Sequence, residues 1–158
     1  MAQTSSRSTN EISRRHLWVI AFAVLLISAV YLLTSRFTYA IGFPLDDSWI
    51  HQTYARNLAL NREWAFRPGL PSAGSTAPIW SAVLAIGFLL NLSPYFWTFF
   101  LGLLILFALA ILCEGAVRKL VNSYQPHFPW VGIFIAFEWH LVWAGLSGME
   151  TLLHGLIV

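Results

Sequence analysis

Two long apolar runs, residues 17–33 and 95–117, decide most of what this chain can be. At about 1.5 Å of rise per residue, each comes close to the roughly 30 Å hydrocarbon core of a bilayer. Inside such a core every backbone N–H and C=O must be paired within its own segment, so both runs read as helices. Composition points the same way. The chain is 58% hydrophobic and 10% charged, against about 25% charged residues in soluble domains. Its 8 Trp, 12 Phe and 5 Tyr suit the aromatic belts of a membrane interface. The expected fold class is all-α: a multi-pass transmembrane bundle with juxtamembrane amphipathic helices in its first outer loop. The net charge of +2 owes much to Arg7, Arg14 and Arg15, which is a topology signal and not a nucleic-acid patch. Cys113 is the single cysteine, so it forms no intrachain disulfide.

The order of apolar and charged residues sets the expected topology. Residues 1–16 form a polar tail with Arg7, Arg14, Arg15 and His16, placed in the cytoplasm by the positive-inside rule. A first span follows at about 17–34. A cleaved signal peptide, with Thr38-Tyr39-Ala40 as its weak cleavage site, is the alternative, but the apolar run is long for one. The outer loop then runs over 35–94. Pro44 stops what precedes it, and Asp46, Asp47 and Ser48 open a helix over about 46–60. Ile50, Tyr54 and Leu58 fall at i, i+4 and i+8, which predicts an apolar stripe on a surface helix, with His51, Gln52, Arg56 and Asn57 on its other faces.

Residues 67–78, rich in Pro, Gly and Ser, read as an irregular loop. The short apolar stretch 79–90 reads as a partly embedded helix on the outer side, because crossing there would put Arg118 and Lys119 outside. Further spans are expected at 95–117 and 128–146, and a new helix starts within 148–158. The single membrane domain covers 17–158. It ends in an apolar run with no polar stop, so the expectation is the N-terminal portion of a longer protein.

The chemistry candidates are few. Asp46-Asp47 is the only adjacent acidic pair in a chain with 7 Asp and Glu. Such a pair can cap a helix, act as a general base, or hold a divalent cation that neutralises a phosphate. No other cofactor is suggested. Glu150 lies on the same expected side. It reads either as the N3 member of a capping box opened by Ser147 or as a functional carboxylate beside an apolar segment. Arg56, Arg62 and Arg67 could bind a phosphate or lipid headgroups. Trp49, Trp64 and Trp80 could stack on a sugar or simply anchor the interface. His51 and His154 could be ligands or proton carriers, although a lone interfacial histidine is usually neither. Glu114 and Arg118 are spaced i, i+4 as a local ion pair. Glu138, with His140 two residues on, is the intramembrane charge that a transport role would use.

Taken together, these stretches resemble the multi-pass C-type glycosyltransferases that use polyprenyl-phosphate sugars, most nearly the bacterial arabinofuranosyltransferase-related group. The resemblance rests on an N-terminal span followed by five stretches in order. These are Asp46-Asp47-Ser48-Trp49-Ile50, Tyr54-Ala55-Arg56-Asn57-Leu58-Ala59, Pro68-Gly69, Gly74-Ser75-Thr76-Ala77-Pro78-Ile79-Trp80, and Ser147-Gly148-Met149-Glu150-Thr151. Members of the group are several times longer, and have a Gly-rich link where this chain has Asn61-Arg62-Glu63-Trp64.

The resemblance implies transfer of a sugar from a polyprenyl-phosphate donor to an extracytoplasmic glycan, lipid or protein acceptor. The catalytic base would be Asp46 or Asp47, with Glu150 a second site residue and Trp49, Arg56, Thr76 and Trp80 as substrate-binding candidates. Its partners would be the lipid-linked donor, the acceptor and membrane lipids. The active loop would lie outside the cytoplasmic membrane, with the N-terminus inside. The alternatives are a non-catalytic membrane assembly or binding protein and, less favoured, a transporter subunit.

Overall fold

The computed structural model describes residues 12–121, 124 and 126–158. Seven helices and one small hairpin make up its regular structure. The all-helical expectation therefore holds in its main part. The tail up to residue 11, and residues 122, 123 and 125 between the second and third expected spans, lie outside the described residues.

Helix α1, Arg14–Thr38, opens with the Ser13 side chain accepting from the His16 N–H. It absorbs Arg14 and Arg15, which the sequence reading placed before the span. Helix α4, Pro94–Leu120, starts at a proline that suits its first turn and ends in Arg118 and Lys119. These two helices are long and apolar enough to cross a membrane. Apolar side chains cover their outsides as well: Trp18 is 76% exposed and Phe22 67%. Large outward apolar surface of this kind suits lipid or a protein partner better than water.

The segment expected as a third span is not one helix. It breaks into α5, Trp130–Phe137, and α6, Trp139–Leu146, at Glu138. Glu138 adopts an extended backbone, and its carboxylate accepts from the Leu141 N–H at 2.9 Å and from His140 Nδ1 at 2.7 Å. An isolated carboxylate in an apolar run has found its partners by capping a new helix. The same break brings His140 within reach, which i, i+2 spacing on a continuous helix would not.

The core lies where α4 meets α1, α5 and α6, and its closest approaches are at glycines. A Cβ on Gly102 of α4 would run into the Gly145 carbonyl of α6. One on Gly132 of α5 would meet Ile20 of α1 at 2.6 Å. Small residues at these crossings let helix backbones approach closely. Glu114 and Arg118 form the expected pair at 2.7 Å, but as a buried junction between helices and not a local surface pair. The second Glu114 oxygen accepts from the Gly132 N–H at 3.0 Å, and Arg118 donates to His16 Nδ1 at 3.3 Å.

The segment between α1 and α4 holds α2, Asp46–Asn61, a hairpin, and α3, Pro78–Leu89. Helix α2 begins where expected but buries a different face. The buried residues are Ser48, His51, Gln52, Tyr54, Ala55 and Asn57, while Ile50 and Leu58 are only partly covered. A buried polar face is tolerated because its groups find partners. Gln52 donates to Thr98 Oγ1 at 2.8 Å, and Asn57 donates to the Ala65 carbonyl at 2.8 Å. The Tyr54 hydroxyl lies 2.6 Å from Ser72 Oγ and accepts from the Gly74 N–H at 2.7 Å. These bonds hold down the loop expected to be irregular, which contains a hairpin of β1, Ala65–Arg67, and β2, Leu70–Pro71. Pro68-Gly69 makes the turn, with Gly69 at φ +79°.

Candidate functional site

Three segments far apart in sequence are bonded together on the inner face of α2. Ser48 Oγ donates to the Ser147 carbonyl at 2.7 Å. Trp80, in the first turn of α3, donates its indole N–H to the Gly148 carbonyl at 2.9 Å. Gly148 has φ +85°, and a Cβ there would meet Phe43 at 2.7 Å and Ser48 at 3.0 Å, so only glycine fits. This pinned turn fixes Glu150, the residue just before α7, Thr151–Ile157.

Glu150 does not close a capping box with Ser147. Its side chain caps nothing, and Ser147 donates to the Ala144 carbonyl and accepts from the Met149 N–H. Instead Glu150 Oε2 lies 3.2 Å from His51 Nε2. The distance suits an ion pair, but the approach is out of line for a hydrogen bond, and neither atom has another hydrogen-bond partner. His51 itself is wholly buried. Its Nδ1 meets Ser75 Oγ at 3.2 Å and Ser81 Oγ at 3.3 Å, and the two hydroxyls are 2.9 Å apart. A serine donating to Nδ1 leaves the ring proton on Nε2, facing the carboxylate.

Glu150 opens on its other side into a cleft of about 240 Å³ between α3 and α7. Thr76, Ala77, Pro78, Ile79, Trp80, Leu153, His154 and Ile157 complete the lining. The lining thus mixes a few polar side chains with a larger apolar set. A second hollow, of about 410 Å³, lies where α1 gives way to the loop before α2, and is lined by Tyr31, Ser35, Tyr39, Ala40, Gly42, Phe43 and Pro44 without any acidic, basic or histidine side chain.

The sequence candidates separate into two groups. Glu150, Thr76 and Trp80 share the cleft, with His51 directly behind it. Trp80 is 3% exposed and its N–H is committed to Gly148, so it forms a wall and not a free stacking platform. Asp46, Asp47, Trp49 and Arg56 are exposed and stand outside the lining. Asp46 and Asp47 occupy the first turn of α2, where Leu45 and not an aspartate is the N-cap, and Asp46 Oδ1 accepts from the Asp47 N–H at 3.1 Å. Trp49 packs against Phe43 and Tyr95, with ring centroids 5.2 and 5.9 Å away. Trp64 lies against Tyr54, and Arg62 sits in the left-handed backbone region that ends α2. Among the described residues, no group of three His, Cys, Asp or Glu side chains is placed to hold a metal ion.

His51 was the residue least legible in the sequence. Its signal was the spacing of Ser48, His51, Gln52 and Ala55 at i, i+3, i+4 and i+7, the pattern of a buried helix face.

The chain matches no protein-family model, and no curated protein or solved structure is significantly similar to it.

Proposed function

We propose that this chain works as a membrane glycosyltransferase, moving a sugar from a polyprenyl-phosphate donor to an extracytoplasmic acceptor. One observation carries the reading. The stretches 46–50 and 74–80, which together with 147–151 suggested this chemistry as an ordered set, are each hydrogen-bonded to 147–151, through Ser48 to Ser147 and Trp80 to Gly148.

In the proposed reaction, Asp46 or Asp47 takes the proton of the acceptor hydroxyl. The freed oxygen attacks the anomeric carbon, and the bond from that carbon to the phosphate breaks, its electron pair leaving with the polyprenyl phosphate. Both aspartates are exposed and free to meet substrate, as is Arg56 on the same helix, which suits the phosphate. In this reading α1 and α4 cross the cytoplasmic membrane, with the Arg14 and Arg118 ends inside. The broken pair α5–α6 completes the bundle against α4, since interrupted helices are tolerated where protein covers them. A transport role has less support. Glu114 is committed to Arg118 and Gly132, and Glu138 to His140 and Leu141.

The test is transfer of radiolabelled pentose or hexose from polyprenyl phosphate in membranes carrying the chain. Asp46→Asn with Asp47→Asn abolishes transfer while membrane insertion is unchanged. Full activity in that double variant removes the catalytic assignment, and no transfer by the unaltered chain favours an assembly or binding role.

A further inference from the structure

We propose that the cleft between α3 and α7 is a binding site for the uncharged, hydroxyl-bearing headgroup of an amphiphile, with Glu150 as its hydrogen-bond acceptor and His51 as the residue that positions Glu150. The inference rests on the glycosyltransferase reading only for what that headgroup is, a sugar ring; the site itself is argued from geometry.

The first argument is the orphaned pair. His51 Nε2 and Glu150 Oε2 face each other at 3.2 Å without a formed hydrogen bond, and the histidine is fully buried. A buried polar atom left unpaired is costly, so a group placed there needs a reason. Ser75 and Ser81 hold the far side of the ring and so fix its orientation. A small shift of the Glu150 carboxylate would close the hydrogen bond, and a ligand hydroxyl donating to the other carboxylate oxygen supplies the pull. The second argument is the lining. Glu150 and His154 are its titratable side chains, and it has no lysine or arginine. A carboxylate in the lining repels phosphate and accepts from hydroxyls. The phosphate of a lipid-linked donor therefore sits elsewhere. The third is shape. About 240 Å³ lies below the roughly 300–1,000 Å³ of drug-sized pockets, which leaves room for one small ring, and the exposed Ile79 and Ile157, with Leu153, give the lining apolar surface on which an alkyl chain can lie.

The experiment uses the whole chain in lipid nanodiscs with two photoreactive probes, octyl glucoside and octyl phosphate, each carrying a diazirine in its octyl chain. Mass spectrometry locates the labelled residues, and labelling of the outward α1 face at Phe22 serves as internal standard. The glucoside is expected to label Ile79, Leu153 or Ile157, competed by unlabelled octyl glucoside, and the phosphate about tenfold less. Glu150→Gln lowers glucoside labelling there by about tenfold, the scale of one hydrogen bond to a charged group. His51→Ala does the same although His51 is outside the lining. His51→Gln, which keeps a donor towards Glu150, restores part of the labelling; a residue that served only to fill space would show no such recovery. Labelling spread evenly over α1, α4 and the cleft, or unchanged in Glu150→Gln, overturns the proposal. Cleft labelling that behaves as expected in a chain transferring no sugar supports the site and removes the transferase reading. Transfer that needs Asp46 and Asp47 without Glu150-dependent labelling overturns the site and leaves the transferase reading intact.

Discussion

Replacing Glu114 by alanine should cost far more than the loss of an ordinary i, i+4 ion pair. Exposed pairs at that spacing contribute about 0.3–0.5 kcal/mol. Here Glu114 is 0% exposed and Arg118 3%, so the alanine variant leaves a guanidinium buried without its counter-charge. Breaking a buried pair from one side costs about 3–5 kcal/mol. The Gly132 N–H also loses its acceptor, an unsatisfied donor worth about 1–3 kcal/mol. Glu114→Gln should fall between, because an amide oxygen can still accept from Gly132. The double variant Glu114→Leu with Arg118→Met should cost clearly less than the sum of its singles, since it removes both charges together. Reversible unfolding in mixed detergent micelles, followed by far-ultraviolet circular dichroism, measures these variants and the two singles of the double. A cost below about 1 kcal/mol for Glu114→Ala, or strict additivity in the double variant, would refute the argument that the pair is a buried junction.

Two further pairs of variants use the same assay. Gly102→Ala should destabilise by at least the roughly 1–3 kcal/mol of an overpacked core, because its Cβ meets backbone in α6. Gly115→Ala on the same helix, with Ile12 at 3.5 Å as its nearest neighbour, should instead be neutral or gain up to about 1 kcal/mol. Arg62→Gly should be neutral or stabilising by up to about 1 kcal/mol, since Arg62 holds φ 58° where glycine carries no Cβ penalty, and Arg62→Val should be destabilising.

The parts of the fold that follow from local rules could be read from the sequence. The two long apolar runs became α1 and α4, and the proline and acidic residues around 44–47 marked the start of α2. Its inner face could not be read in the same way. Ile50, Tyr54 and Leu58 suggested an apolar stripe, but helix burial depends on what a face meets, and this one meets hydroxyls, carbonyls and a carboxylate from other segments. The break at Glu138 was written in the residue itself, though only its capping geometry turns a charge within an apolar run into a helix boundary. For the cleft, Glu150, Thr76 and Trp80 were visible from the chain, while His51 gains its place only from Ser75, Ser81 and Glu150 together.

The contact of Gly102 with Gly145 reaches beyond packing. Helix α6 ends at Leu146, and the turn that carries Glu150 follows at once. The close approach of two glycine backbones therefore lies directly before the turn that carries that carboxylate. A methyl group added at Gly102 would push α6 outward, and the turn with it, although α4 supplies nothing to the cleft lining. In a mutational scan scored by ligand binding, Gly102 and Gly145 would then group with Glu150 and His51 as a single phenotype. Proximity to the ligand would be a poor guide to which positions govern it.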